Sequence, residues 1–189
     1  MQTFLISPEF EDTAKILDNQ RLVKQNLETR QILNTLTGIS KGWQSHPAVL
    51  SWKNNKGALA QYGLAINNEC LTRGYKGNNT EFFLSISGNT DLPKWFTNEL
   101  IFSSHRGRLK CKGEIDSLCL SIKKHLKIKS IDSWLKLKYK KTKNQLRSGD
   151  IDNLLEFMRA NNIPRIYTNW YDQFGWKEGM SVDYVWGVA

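Results

Sequence analysis

Apolar side chains recur at three- and four-residue spacing along most of the chain, the pattern of helices with one buried face. From about residue 10 to 37 the spacing predicts one long or kinked helix, which Asp12 or Asp18 could cap and which Gly38 would end. Winding residues 21–36 at about 100° per residue spreads Leu22, Val23, Leu27, Ile32, Leu33 and Leu36 over more than half of the cylinder. The same winding collects Arg21, Lys24 and Glu28 on a strip roughly 60° wide. Pro47 forbids a continuous helix through His46, so residues 41–52 read as a turn-rich connection. A second helix, about 55 to 73, carries Leu59, Tyr62, Ile66 and Cys70 at helical spacing and stops at Gly74. Residues 76–91 are loop-like, with Phe82–Ile86 as a short strand or turn. A third helix starts near Pro93, a favoured first-turn residue, and runs towards Gly113. Beyond it lie helical patterns over about 114–126, 130–145 and 150–160, of which the middle one also alternates as LKLKYK, so that a strand is possible there. The last 27 residues are aromatic and turn-rich. The expected fold is mainly α: a compact single-domain helical bundle with irregular loops, its core in residues 1–113. Residues 114–189 form a basic, aromatic-rich extension packed on the same domain.

Composition adds one feature that periodicity does not show. The chain of 189 residues carries a net charge of +9. Residues 121–150 hold ten Lys or Arg against Asp132 and Asp150, a net of +8, so the basicity is a segment and not a general property. With Trp134, Leu135, Leu137 and Tyr139 interleaved, such a segment suits a polyanion, although a solvated face or a membrane-surface patch has the same composition. No run of eighteen apolar residues is present, and acids appear from Glu9 onward, which reads as a soluble, unexported protein of the cytoplasm. Cys70, Cys111 and Cys119 have neither disulfide-framework nor zinc-site spacing and are expected as buried, reduced thiols.

The chemistry-bearing motifs are few. There is no Walker-type glycine loop, no GxSxG and no HExxH, and His46, His105 and His125 are scattered. What remains is chemistry done by amines and carboxylates, without metal or cofactor, or none at all. Of the available amines a chain terminus is the readier nucleophile. With ordinary pKa values of about 7.8 for an α-amine and about 10.4 for lysine, roughly 14% of the former and roughly 0.04% of the latter is neutral at pH 7. The apolar Thr3–Ile6 segment would anchor such a terminus against a core. Gln2 is bulky, so Met1 itself is expected to keep the free amine.

Several segments in order, MQTFL, LDNQRLVKQNLETRQIL, GWQSHPAV, ECLTRGY and LPKW…SSHRGRL, resemble the pyrimidine-dimer DNA glycosylase family over roughly residues 1–112, with a last echo in Tyr184-Val185-Trp186. The resemblance implies a compact helical domain that uses its N-terminal α-amine as nucleophile and a glutamate on a helix beside it. The amine falls on Met1, where the best-known members expose a trimmed threonine. The family helix carries a basic residue seven positions before its carboxylate, and Arg21 stands seven before Glu28. The strip of Arg21, Lys24 and Glu28 then reads as one wall of an active site, with Glu28 for proton transfer and the two cations for phosphates.

By the same resemblance His46 and the group His105, Arg106, Arg108 and Lys110 are phosphate ligands, a satisfied core position being the alternative for a lone histidine; Gln25, which flanks the strip, is in place to reach the sugar or a base edge. Arg73 reads as a capping charge, and Trp43 either packs or wedges. The implied activity is that of a DNA glycosylase with AP-lyase action on cyclobutane pyrimidine dimers, through an imine formed on the α-amine. Lesion-containing duplex DNA is the expected partner, with no metal, no membrane and a monomeric protein. A glycosylase for another damaged or modified base, and a non-catalytic basic DNA-binding module, are the alternatives.

Overall fold

A computed structural model of the chain describes residues 1–166 and Gly187. These residues form eight α-helices and, among them, no strand, so the mainly-α expectation holds: α1 (Phe10–Ile16), α2 (Asn19–Leu36), α3 (Pro47–Ser51), α4 (Lys56–Thr72), α5 (Thr80–Ser85), α6 (Glu99–His125), α7 (Ile131–Tyr139) and α8 (Ile151–Ala160). The echo at Tyr184-Val185-Trp186 lies outside the described residues. By Cα proximity the chain divides into two compact units, one of Met1–His105 and Tyr184–Ala189, the other of Arg106–Asp183.

Local chemistry explains where the elements depart from the periodic pattern. The helix expected over 10–37 is two helices, because Asp18 takes an extended conformation (φ −64°, ψ 161°) and its carboxylate accepts the Arg21 N–H at 3.0 Å. That is an N-cap, and it starts α2 afresh. Of the two capping candidates Asp18 is the one that caps, while Asp12 lies inside α1. Gly38 and Gly74 follow α2 and α4 with φ of +81° and +78°, the left-handed conformation in which glycine ends a helix without strain. Phe82–Ile86 is not a strand. It belongs largely to α5, whose Phe83 is buried against Gly63 of α4, where a Cβ would stand 2.7 Å from the ring. The LKLKYK stretch is likewise helical in α7, whose Ser130 cap accepts from the Ser133 N–H. Nor does Gly113 break α6. A glycine inside a helix costs about 1 kcal/mol relative to alanine, and the burial of Leu109, Cys111, Ile115 and Leu118 around it outweighs that.

In the first unit α4 packs against α1, α2 and α5. The fully buried Phe4, Trp52, Tyr62, Leu22, Ile32, Leu33 and Ile66 form much of its core. Arg73 is a capping charge, as expected, but for another helix. Its guanidinium donates to the Ala14, Lys15 and Leu17 carbonyls at the C-terminal end of α1 and is held from behind by Glu69 at 2.7 Å. A cation there satisfies carbonyls that α1 leaves open and opposes the negative end of its dipole.

The second unit has its own apolar cluster, in which Ile115, Leu118, Cys119 and Ile122 of α6 meet Leu135, Leu146, Leu154 and Met158. All three cysteines are free and buried, and burial pushes the Cys119 thiol up to about 12. Within the basic segment Lys141 pairs with Asp150 and Lys143 with Asp116, whereas Lys123, Lys124, Lys127, Lys129, Lys136, Lys138 and Lys140 lie exposed. No helix among the described residues is long and apolar enough to cross a membrane.

Candidate active site

The first six residues belong to no helix or sheet, yet Thr3 to Ile6 are buried. Buried backbone groups need partners, and here side chains from several helices supply them. The Phe4 N–H donates to Gln25 Oε1 of α2 at 2.9 Å, the Leu5 N–H to His105 Nδ1 of α6 at 2.9 Å, and the Ile6 N–H to Thr13 Oγ1 of α1 at 3.2 Å. The Phe4 carbonyl faces the Tyr62 hydroxyl of α4 at 2.9 Å, and Trp52 Nε1 donates to Thr3 Oγ1 at 3.1 Å. The start of the chain is thus threaded through the core and clamped on every side. An apolar run of this kind promised an anchored terminus; the partners that anchor it were not visible, because they are single polar side chains far away in sequence.

This clamp brings the Met1 nitrogen to 3.9 Å from Glu28 Oε1, with 6% of the Met1 side chain and 10% of the Glu28 side chain exposed. Lys24 Nζ lies at the same distance from the same oxygen, on the exposed side. The other carboxylate oxygen, Oε2, accepts from Gln25 Nε2 at 3.2 Å. Gln25 therefore has both ends of its amide in use, the nitrogen on the acid and the oxygen on the Phe4 N–H, with the Tyr62 hydroxyl also 2.9 Å from that oxygen. Burial, and then the Glu28 charge, hold the Tyr62 phenol well above its ordinary pKa, so it remains a donor. His46 caps α3 by accepting the Ala48 N–H at Nδ1. Its pKa is lowered by burial and then by the positive charge of the N-terminal amine, which puts His46 within the field of the same group.

The strip on α2 is therefore assembled differently from the periodic picture. Val23 and Leu27, counted on the apolar face, are 42% and 55% exposed, whereas Gln25, Asn26, Glu28 and Thr29 are buried. Beside Leu22, Ile32 and Leu33 the buried face of α2 carries polar side chains, because it has an amide network to enter. Asn26 Nδ2 donates to Asn67 Oδ1 at 3.2 Å and Asn26 Oδ1 accepts from Asn79 Nδ2 at 2.9 Å. Glu28 sits at the rim of that face, next to exposed Lys24. Arg21 turns to Asp18, with Nη1 2.6 Å from Oδ2.

Two residues read as DNA contacts lie deep in the protein: Gln25 is 1% exposed and His105 3%, and both hold the N-terminal segment from inside. Arg106, Arg108 and Lys110 are half-buried on α6, in the second unit. Tyr62, Thr13, Trp52 and the Asn26–Asn67–Asn79 network have structural roles that no spacing announced; the Tyr62 position read only as part of an apolar face.

Replacing Gln25 with Leu leaves the Phe4 N–H and Glu28 Oε2 without the partner each now has. The expected cost is about 2–4 kcal/mol of unfolding free energy, read from urea denaturation; a loss below about 0.5 kcal/mol would contradict the clamp. Burial also lowers His105 to about 4. Its unfolded value is about 6.5, so between these two values the unfolded chain binds the extra proton and stability rises with pH. The His105 contribution, about 3 kcal/mol, is fully present above about pH 6.5 and is lost as the pH falls towards 4. In a His105→Gln variant that part of the slope should vanish when unfolding is measured across this window.

One comparison bears on the site. Residues 1–82 match the family model described as pyrimidine dimer DNA glycosylase, a span that contains Met1, Glu28 and His46 and supports the resemblance seen in the sequence. The segments LPKW and SSHRGRL fall beyond the matched span. No curated protein and no solved structure matches the chain.

Proposed function

From the family match over residues 1–82 and the geometry of its first nitrogen, we propose that the protein is a DNA repair glycosylase for pyrimidine dimers whose Met1 α-amine is the nucleophile and whose Glu28 moves the protons. The observation that carries this reading is the Met1 nitrogen held 3.9 Å from a carboxylate oxygen whose side chain is only 10% exposed. An ammonium there would need only an ion pair. A neutral amine gains a proton acceptor beside it and, in Lys24, a cation that faces an incoming phosphate.

The amine attacks C1′ of the damaged nucleotide, the N-glycosidic bond breaks with its electron pair leaving on the base, and the nitrogen sheds a proton to Glu28. Ring opening gives a protonated imine between protein and sugar. Glu28 gives its proton to O4′ as the ring opens, while the departing base anion takes one from water; again a carboxylate, Glu28 then removes a proton from C2′, and the 3′ phosphate leaves by β-elimination, cutting the strand. Water hydrolyses the imine and frees the amine. The carboxylate is positioned for this by Gln25 through Oε2, which leaves Oε1 for the reacting nitrogen. To expose C1′ a nucleotide must leave the stack, which costs least at a damaged site.

Borohydride tests the imine directly. Mixed with untagged protein and a duplex containing a cyclobutane dimer or an abasic site, it is expected to freeze a covalent protein–DNA adduct. Intact DNA binding with no adduct would reduce the protein to a binding module. Ultraviolet-irradiated DNA set against undamaged DNA then assigns the lesion, and equal turnover of both would remove the dimer from the proposal.

A further inference from the structure

Among the described tryptophans of the first unit Trp43 stands out: Trp52 is fully buried and Trp95 half-buried, whereas Trp43 is 68% exposed. Its backbone is also unusual, with φ at +63°, a left-handed conformation that a bulky residue adopts only under constraint. The other non-glycine residues with positive φ among those described are Lys127, Lys140 and Asn162, polar residues just past the ends of α6, α7 and α8. Trp43 lies well beyond the end of α2, in the connection to α3.

That connection is firmly tied. Thr35 Oγ1 of α2 donates to the Gly42 carbonyl at 3.1 Å, the Ser40 N–H to the Asn34 carbonyl at 2.9 Å, and the His46 N–H to the Trp43 carbonyl at 2.9 Å. A well-anchored loop therefore presents a large aromatic side chain to water. One ring contact orients it: the indole meets the His46 imidazole edge-on, centroids 5.7 Å apart. His46 starts α3, and Trp52, directly after that five-residue helix, donates its indole N–H to Thr3, two residues from Met1.

We propose that Trp43 is a nucleobase-stacking residue at the lip of the Met1–Glu28 site, its exposed indole face covered by a base of duplex DNA at or beside the lesion. A base suits this position better than a phosphate or a sugar, because an uncharged aromatic face offers neither ion pair nor hydrogen bond. His46 sets the tilt of the ring, and the tied loop fixes its reach in advance, so little ordering is needed on binding. Exposed Lys24, beside Glu28, supplies the phosphate contact that brings the strand to the same place. The residue thus fills a gap that opens when a nucleotide leaves the helix, or receives the base that leaves. The proposal rests on the reading of the Met1–Glu28 pair as a DNA site, but its test needs no bond to be made.

The test is equilibrium binding of the full chain to a duplex containing a tetrahydrofuran abasic analogue, which cannot form an imine, and to the same duplex undamaged. Trp43→Ala is expected to weaken binding to the lesion duplex about tenfold, and Trp43→Phe to restore it to within about threefold, since base stacking tolerates any aromatic face. Affinity for the undamaged duplex, carried by phosphate contacts, stays within about twofold. Equal affinity of the alanine variant and the wild type for the lesion duplex would overturn the proposal, as would an equal loss on both duplexes. Failure of borohydride trapping in the wild type, with this selective loss intact, would instead remove the amine chemistry and leave the stacking site standing.

Discussion

Replacing Glu28 with Gln should lower the single-turnover rate of strand cutting by about a thousandfold, the scale of a lost general acid–base group, while affinity for an abasic-site duplex stays within about threefold. Gln keeps the size of the side chain and an oxygen for Gln25 Nε2 to donate to, so the clamp on residues 3–6 is retained. What it cannot do is accept a proton from the amine or from C2′. The rate should therefore fall without a matching fall in binding, a difference of about 4 kcal/mol in the barrier. Glu28→Asp draws the carboxylate back by about one carbon–carbon bond and is expected to fall between the two. Retained cutting in the Gln variant would move proton transfer to another group and sink the assignment of Glu28.

Blocking the first nitrogen should have the larger effect on trapping. One additional residue ahead of Met1, or acetylation of its amine, turns the reacting nitrogen into an amide, which has no nucleophilic lone pair. An added residue also carries the new terminus about 3.8 Å further along the chain, beyond a position that the Gln25, His105 and Thr13 hydrogen bonds now fix. Borohydride adduct should drop below detection, by about a thousandfold or more, with DNA binding preserved. If the blocked protein traps as well as the free one, a lysine side chain makes the imine, and Lys24, 3.9 Å from Glu28, is the first to test.

These two outcomes depend on a juxtaposition that was only partly legible in the sequence. Glu28 and Met1 were paired by a resemblance in order and spacing. On periodicity alone, Glu28 with Lys24 is an ordinary ion pair on a solvated helix face. The α2 face was misread for a physical reason: hydrophobic pattern finds burial only where burial is apolar. In this helix Gln25, Asn26 and Thr29 go inside, and Val23 and Leu27 stay out, because hydrogen-bond partners on the N-terminal segment, α4 and the Asn78–Thr80 turn satisfy the two amides. His105 is a second case: a histidine in a basic cluster reads equally as a phosphate ligand or a satisfied core residue, and only the structure shows the buried Leu5 N–H donating to it.

Helix boundaries divide along the same line. Ends governed by neighbours in sequence were readable: Gly38 and Gly74 after their helices, Asp18 as one of two candidate caps, although the short α3 lies where only a turn-rich connection was expected. Boundaries governed by packing were not, as α5 in place of a strand and the passage of α6 through Gly113 show.

By itself the sequence determined the helical class, the basic segment at 121–150, the anchored character of residues 3–6 and the residue types available for chemistry, since each depends on composition or on spacing along one element. Only the tertiary structure decided which carboxylate faces the first nitrogen, which polar groups hold it there and which indole remains in water. Most of those are contacts between residues far apart in the chain, as Phe4 with Gln25 and Leu5 with His105. Single long-range hydrogen bonds of this kind leave no periodic trace in a chain.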